Sequence, residues 1–254
     1  MKILIGVPVT ERGVRRLSRS LPELARRYGS IALPLPQSLC MRVVTSSVEA
    51  MDYALKLMNP SNFRVWSSLL LALKELVLSN PDVDVGCYAP EDTYATSEAR
   101  GYAIATLTVK ARAFGIVKPE EWLKVYKGQP TKAVIERIAG YNAIVADGYS
   151  WVVRLRKEVK PRKVLVVDTM APTPLDVLEL MALGYLDTSM AREVVDYAIK
   201  YVEYIVTSFT LTQAYNRLLE DNGYLELLRR LKLKIFKVRR VVEEVGSPTT
   251  PDPF

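Results

Sequence analysis

Histidine is absent from this 254-residue sequence. Its absence removes Ser-His-Asp and Cys-His catalysis and any histidine-ligated metal, and leaves carboxylates, Lys, Tyr, Ser and Thr to carry chemistry. Cysteine occurs only at Cys40 and Cys87. Two distant cysteines outside any motif exclude a cysteine-rich zinc site and a disulfide framework. There is no Gly-x-Gly-x-x-Gly and no P-loop, and the 12 glycines are too scattered to cradle a phosphate. No cofactor is expected, and no metal site is assigned. The tyrosines stand singly, so no aromatic stacking platform is visible. No apolar run is long enough to span a bilayer. The apolar start, Met1 to Val9, passes straight into Thr10-Glu11-Arg12 without a small-residue cleavage site. It reads as a first strand and not as a leader, which predicts a cytoplasmic protein without membrane contact.

What is present is ordinary for a globular chain: 49% hydrophobic and 25% charged residues. The length suits one α/β domain over residues 1–245, followed by a Pro-rich, disordered tail over 246–254. The formal charge of +7 and pI near 9.3 favour a polyanionic partner, with nucleic acid first. The competing reading is an inert basic surface.

Periodicity organises the chain. Thr10 caps a helix whose Val14, Leu17, Leu21 and Leu24 share one face, and Gly29 closes it. Ser30–Leu35 and Val83–Tyr88 read as strands, separated by helices that Ser46 or Ser47 and Asn59-Pro60 punctuate. A further helix runs from about Thr93 to Arg112. Ala113–Val117, Asn142–Ala146, Lys163–Val167 and Gly184–Leu186 then read as strands, and the last three are each followed by an aspartate: Asp147, Asp168 and Asp187. Beyond them a helix from about Ala191 leads to a strand at Tyr204–Thr207. Ser208 or Thr210 caps the next helix, Gly223 interrupts it, and Leu233–Val238 is a final strand. About eight strand-like pieces alternating with helices favour a (β/α)8 barrel, with an open doubly wound parallel sheet as the alternative.

An apolar strand ending in a carboxylate is how an α/β protein builds a site at the carboxyl edge of its sheet. Glu91, Asp92, Asp147, Asp168 and Asp187 would then open onto one face, with Asp147, Asp168 and Asp187 on one rim. Paired carboxylates there could serve as nucleophile and general acid or base, or hold a hard cation. The local reading of each aspartate is a helix cap. Two basic clusters stand out, one from Arg154 to Lys163 and one from Arg229 to Arg240. Either could track a phosphate backbone, or be a solvated helix face.

The central stretch also resembles a known family. Phe114-Gly-Ile-Val-Lys118, Tyr141-Asn-Ala-Ile-Val-Ala-Asp-Gly-Tyr149, Lys160-Pro-Arg followed by Pro174-Leu-Asp-Val-Leu178, and Ala182-Leu-Gly-Tyr-Leu-Asp187 before Ala191-Arg192 are similar, in order and spacing, to the later half of the tRNA-guanine transglycosylases, the tRNA-ribosyltransferases. The resemblance implies a barrel acting on or near tRNA. It implies that Asp187 is the nucleophile that attacks the ribose C1′ carbon and displaces the base, with Asp92 or Asp168 shuttling the proton. Lys118 falls at the base-recognising position, and Asp147 and Gly148 fall where the family has paired glycines; independently of the resemblance, the basic cluster from Arg229 predicts that Arg239 and Arg240 contact RNA phosphates. The family's Cys/His zinc site and its early aspartate segment have no counterpart, so a silent relative that binds RNA or a catalytic partner, as a homo- or hetero-oligomer, is a further expectation. A rival enzyme class is a barrel acting on a small phosphorylated or carboxylated metabolite, with or without Mg²⁺ on the aspartates.

Overall fold

The computed structural model describes residues 2–127 and 132–238. The N-terminal strand β1 (Ile3–Val7) leads through Thr10 into helix α1 (Glu11–Tyr28). The Thr10 hydroxyl accepts from the Gly13 amide at 3.0 Å, and Gly29 closes the helix with φ +73°, where a Cβ would be strained. Strand β2 (Ser30–Pro36) and helices α2 (Gln37–Thr45), α3 (Ser47–Leu57) and α4 (Pro60–Ser79) follow. Next come β3 (Asp84–Ala89), α5 (Thr93–Phe114), α6 (Pro119–Lys124), α7 (Lys132–Ile138), β4 (Ala143–Asp147), α8 (Tyr149–Val159) and β5 (Lys163–Val166). The chain ends in helices: α9 (Pro174–Ala182), α10 (Ala191–Val206), α11 (Leu211–Leu219) and α12 (Asn222–Arg230).

The five strands form one parallel sheet in the order β3-β2-β4-β1-β5. Both of its faces are covered. Ile3, Ile5 and Val7 of β1 pack with Leu17, Leu21 and Leu24 of α1 and with Leu69 and Leu73 of α4. Alternate residues, Leu4 of β1 and Ile144 and Ala146 of β4, pack with Val152 and Leu155 of α8 on the other face. A strand buried on both faces must be apolar throughout, and β1 and the first four residues of β4 are. Gly6 has a steric reason: a Cβ there would lie 2.9 Å from both Met170 Sδ and Val152 Cγ2. A separate apolar layer, built from α5, α6 and α9–α12, carries Trp122, Leu178, Val195 and Tyr224 at its centre.

The class is therefore α/β, and the described residues supply five paired strands with two free edges, β3 and β5, where a closed (β/α)8 barrel needs eight. The other strand-like pieces are something else. Ala113 and Phe114 end α5, and Gly115, at φ +65°, is its left-handed cap. Tyr185 and Leu186 wrap the end of α9, their amides donating to the Leu180 carbonyl at 2.8 and 3.3 Å. Tyr204–Val206 is the last turn of α10. Of Leu233–Val238, only Phe236 forms a bridge, to Met170.

Cys40 and Cys87, which no sequence motif pairs, form a disulfide between α2 and β3, with Cα atoms 6.4 Å apart. Their 47-residue separation hid it, because only the pairing of β3 with β2 brings Cys87 beside α2. Such bonds persist in oxidising compartments and in intracellular proteins of hyperthermophiles. No helix among the described residues is long and apolar enough to cross a membrane.

Candidate functional site: a cleft at the sheet's switch point

In the sheet, β1 and β4 are neighbours, but the helices that follow them, α1 and α8, lie on opposite faces. Where neighbouring strands send their helices to opposite sides, a crevice opens beyond their carboxyl ends, and this is where open α/β sheets bind ligands. A cavity of about 480 Å³ lies there. Pro8–Thr10 after β1, Asp92 after β3, Asp147–Ser150 at the end of β4, and Met170 and Ala171 after β5 form its floor. Helix α5 gives one wall through Tyr94, Arg100 and Ile104, and the helical layer closes it with Asp176, Glu179, Tyr201 and Tyr215.

The first turn of α1 joins sheet and helical layer. The Glu11 carboxylate accepts from the amides of Leu211 and Thr212 at 3.1 and 2.9 Å, so it caps α11 from a distance in sequence. These bonds hold its pKa below the usual carboxylate value although burial pushes the other way. Arg12 Nε and Arg16 Nη1 each donate to Asp168 at 2.6 Å.

Asp147 pairs in register with Val7, and the Gly148 amide donates to the Val7 carbonyl at 2.9 Å. Gly148 has φ +89°, and a Cβ there would sit 3.4 Å from Asp176 Oδ1. The turn therefore suits glycine, and it aims the start of α8 into the cleft. Burial pushes the Asp147 carboxyl up to about 7, aided by the charges of Glu179 and Asp176, and opposed by its own backbone amide and by Arg154.

Behind it lies a buried polar network. Arg154, whose side chain is fully buried, donates from Nη1 to Glu179 Oε1 at 3.0 Å. Ser150 Oγ donates to Glu179 Oε2 at 2.8 Å, and the Arg154 guanidinium lies 4.0 Å from the centre of the Trp151 ring. Burial raises the Glu179 pKa and lowers that of Arg154, and their attraction offsets part of each. Asp176 links the starts of α8 and α9: Oδ1 accepts from the Ser150 amide at 3.1 Å, and Oδ2 from the Thr173 amide and hydroxyl at 2.8 and 2.7 Å.

The expected site residues divide. Asp92, Asp147 and Gly148 line the cleft. Asp168 shares the sheet rim with Asp147, but its buried carboxylate is turned to Arg12 and Arg16 and is absent from the cleft lining. Asp187 follows no strand. It sits on the exposed turn between α9 and α10, where it accepts from the Ser189 amide at 2.7 Å, and the Ser189 hydroxyl and amide keep its pKa low. The expectation of three aspartates on one rim therefore holds for two of them.

Lys118 is exposed at the start of α6, 3.7 Å from Glu121. Arg239, Arg240 and the Pro-rich tail lie outside the described residues. The basic clusters also divide. Arg154 is buried, while Arg229 and Arg230 pair with Glu226 and Glu193. No three acidic or cysteine side chains gather as a metal-ligand set among the described residues.

Sequence reading missed Tyr94, Arg100, Tyr126, Ser150 and Glu179 as site residues. Two signals were available. Glu179 stands inside the apolar run Val177-Leu-Glu-Leu-Met181, and Arg154 inside Val152-Val-Arg-Leu155. A lone charge within an apolar helical run lies on a buried face and needs a partner. Comparison with protein-family models, curated proteins and solved structures found no match.

Proposed function

We propose that this chain is an α/β enzyme that acts on a small polar metabolite in the switch-point cleft, with Asp147 as the general acid–base residue. The observation that carries the reading is the placement of the Asp147 carboxyl. It ends a central strand, faces the cavity, and is held near neutrality by its surroundings. A carboxyl that titrates near the working pH can both take and return a proton. Glu179 is engaged by Arg154 and Ser150, so it orients the start of α8 and is not placed to react.

The test needs no substrate at the outset. A ¹³C-carboxyl titration followed by NMR, assigned with Asp147→Asn, is expected to show one carboxyl with a midpoint near 7. A midpoint near 4 for Asp147 would remove it as the acid–base group. Turnover found in a screen of phosphorylated and carboxylated metabolites is expected to fall about 10²–10⁴-fold in Asp147→Asn.

The same shift predicts a pH-dependent stability. Below about pH 4 the residue is protonated in both folded and unfolded chains and contributes nothing. As pH rises towards 7, only the unfolded chain ionises, so this residue's contribution becomes unfavourable. Above 7 the cost is constant. Asp147→Asn should therefore match the wild type near pH 4 and exceed its stability by about 2 kcal/mol at pH 8, after allowance for solvent in the cleft. Urea unfolding at the two pH values checks it.

The second reading is base exchange on tRNA through Asp187, supported by the family resemblance, the charge of +7 and the exposure of an ionised carboxylate on an open turn. It predicts guanine exchange that Asp187→Asn abolishes and Asp147→Asn spares.

A further inference from the structure

Three polar groups on one side of the cleft have no hydrogen-bond partner among the described residues: the Tyr94 hydroxyl, the Tyr126 hydroxyl and Arg100 Nε. All three residues line the cavity. Tyr94 is 5% exposed and Tyr126 3%, so bulk water does not satisfy their hydroxyls. The guanidinium of Arg100 lies 5.2 Å from the centre of the Tyr126 ring, which places cation and phenol together. Arg100 also makes no ion pair among the described residues. The acids near it are already engaged, Glu179 by Arg154 and Ser150, and Asp176 by Thr173 and Ser150. Buried polar groups are rarely left unpaired, and each such group costs stability unless something occupies it.

We infer that Arg100, Tyr94 and Tyr126 form the anion-binding subsite of this cleft, which makes the substrate a small acid carrying a carboxylate or a phosphate. The inference rests on the proposed cleft enzyme and names its substrate class. A guanidinium only donates, and burial pushes both phenols well above their usual pKa, so each keeps its proton and can donate as well. Three donors lining one cavity, one of them cationic, match an acceptor-only group. Asp147 lines the same cavity as these three residues, so a bound acid shares the cleft with the proton-transfer residue.

Two probes test the subsite, malonate and inorganic phosphate, each titrated into the intact protein by calorimetry. At least one is expected to bind saturably to the wild type. A preference for malonate would assign carboxylates, and a preference for phosphate would assign phosphoryl groups. Affinity for the preferred probe should fall about tenfold or more in Arg100→Gln, and severalfold in Tyr94→Phe and Tyr126→Phe. Without probe, both Phe variants should melt higher than the wild type, because each deletes a buried hydroxyl that lacks a partner.

Absence of saturable binding by both probes would overturn the subsite, as would unchanged affinity in the Tyr→Phe variants. Asp147-dependent turnover without probe binding would overturn the subsite and leave the acid–base reading standing. Probe binding together with an Asp147 midpoint near 4 would do the reverse.

Discussion

Arg154→Met is expected to lower stability by about 3–5 kcal/mol. The guanidinium is fully buried and sits against Glu179, which is itself almost fully buried. Removing the cation leaves a carboxylate in a low-dielectric site with the Ser150 hydroxyl as its remaining hydrogen-bond partner among the described residues. The penalty comes from that stranded charge more than from the lost attraction, so it should be recoverable. The double variant Arg154→Met/Glu179→Leu should regain a large part of it, and a double-mutant cycle would show strong coupling.

The pH dependence gives a second check. Glu179 already has a raised pKa, and losing Arg154 raises it further. In the variant the folded state then holds a proton that the unfolded chain releases. Stability falls as pH rises between the two pKa values, so the deficit should be smaller at pH 5 than at pH 8. Equal deficits at both pH values, with no recovery in the double variant, would show that Arg154 acts through packing alone.

Removing the cross-link between Cys40 and Cys87 is expected to cost about 4 kcal/mol, the loop-closure value for their 47-residue separation. For a chain of this length that corresponds to a loss of roughly 10 °C in Tm. Cys40→Ala/Cys87→Ala should show the loss, and reductant should lower the Tm of the wild type without affecting the variant. The native protein should present no thiol to Ellman's reagent before reduction. Two thiols titrating in the unreduced native protein would refute the bond.

What could be read from the sequence follows the range of each interaction. Thr10 and Gly29 bound α1 through contacts within four residues, so their roles were legible. Ser30–Leu35, Asn142–Ala146 and Lys163–Val167 were legible as strands because both of their faces are apolar. Ala113–Val117 was not, since four apolar residues around a glycine describe a helix end as well as a strand. Gly184–Leu186 failed for the same reason, and Asp187 lost its strand-end position with it.

The pattern of strand then aspartate did locate Asp147 and Asp168 on one rim. What it could not show is that β5 lies beside β1, which brings Asp168 to Arg12 and Arg16 across more than 150 residues. Long-range neighbours decide which carboxylate is held in an ion pair and which faces a ligand. The subsite has the same origin: α5 was legible as a helix, but the orphaned state of Tyr94 and Arg100 depends on what surrounds them.

The position of β1 at the inside of the sheet sets a condition on how the chain is made. Ile3 pairs with Ala143 on one side and Lys163 on the other. When the first strand leaves the ribosome, neither neighbour exists. At ordinary elongation rates of about 5–20 residues per second, Ile3–Val7 waits roughly 10 seconds or more for β4. During that time α1 can shield only one of its faces, and both backbone edges stay open to other strands. The β2–β3 pair, closed by the Cys40–Cys87 bond, can form early, but β2 too lacks β4 on its inner edge. The centre of the sheet, between β2 and β1, therefore closes only when β4 inserts, and β5 then completes the other edge of β1. The switch-point cleft cannot exist before that insertion, so ligand binding reports on a completed fold.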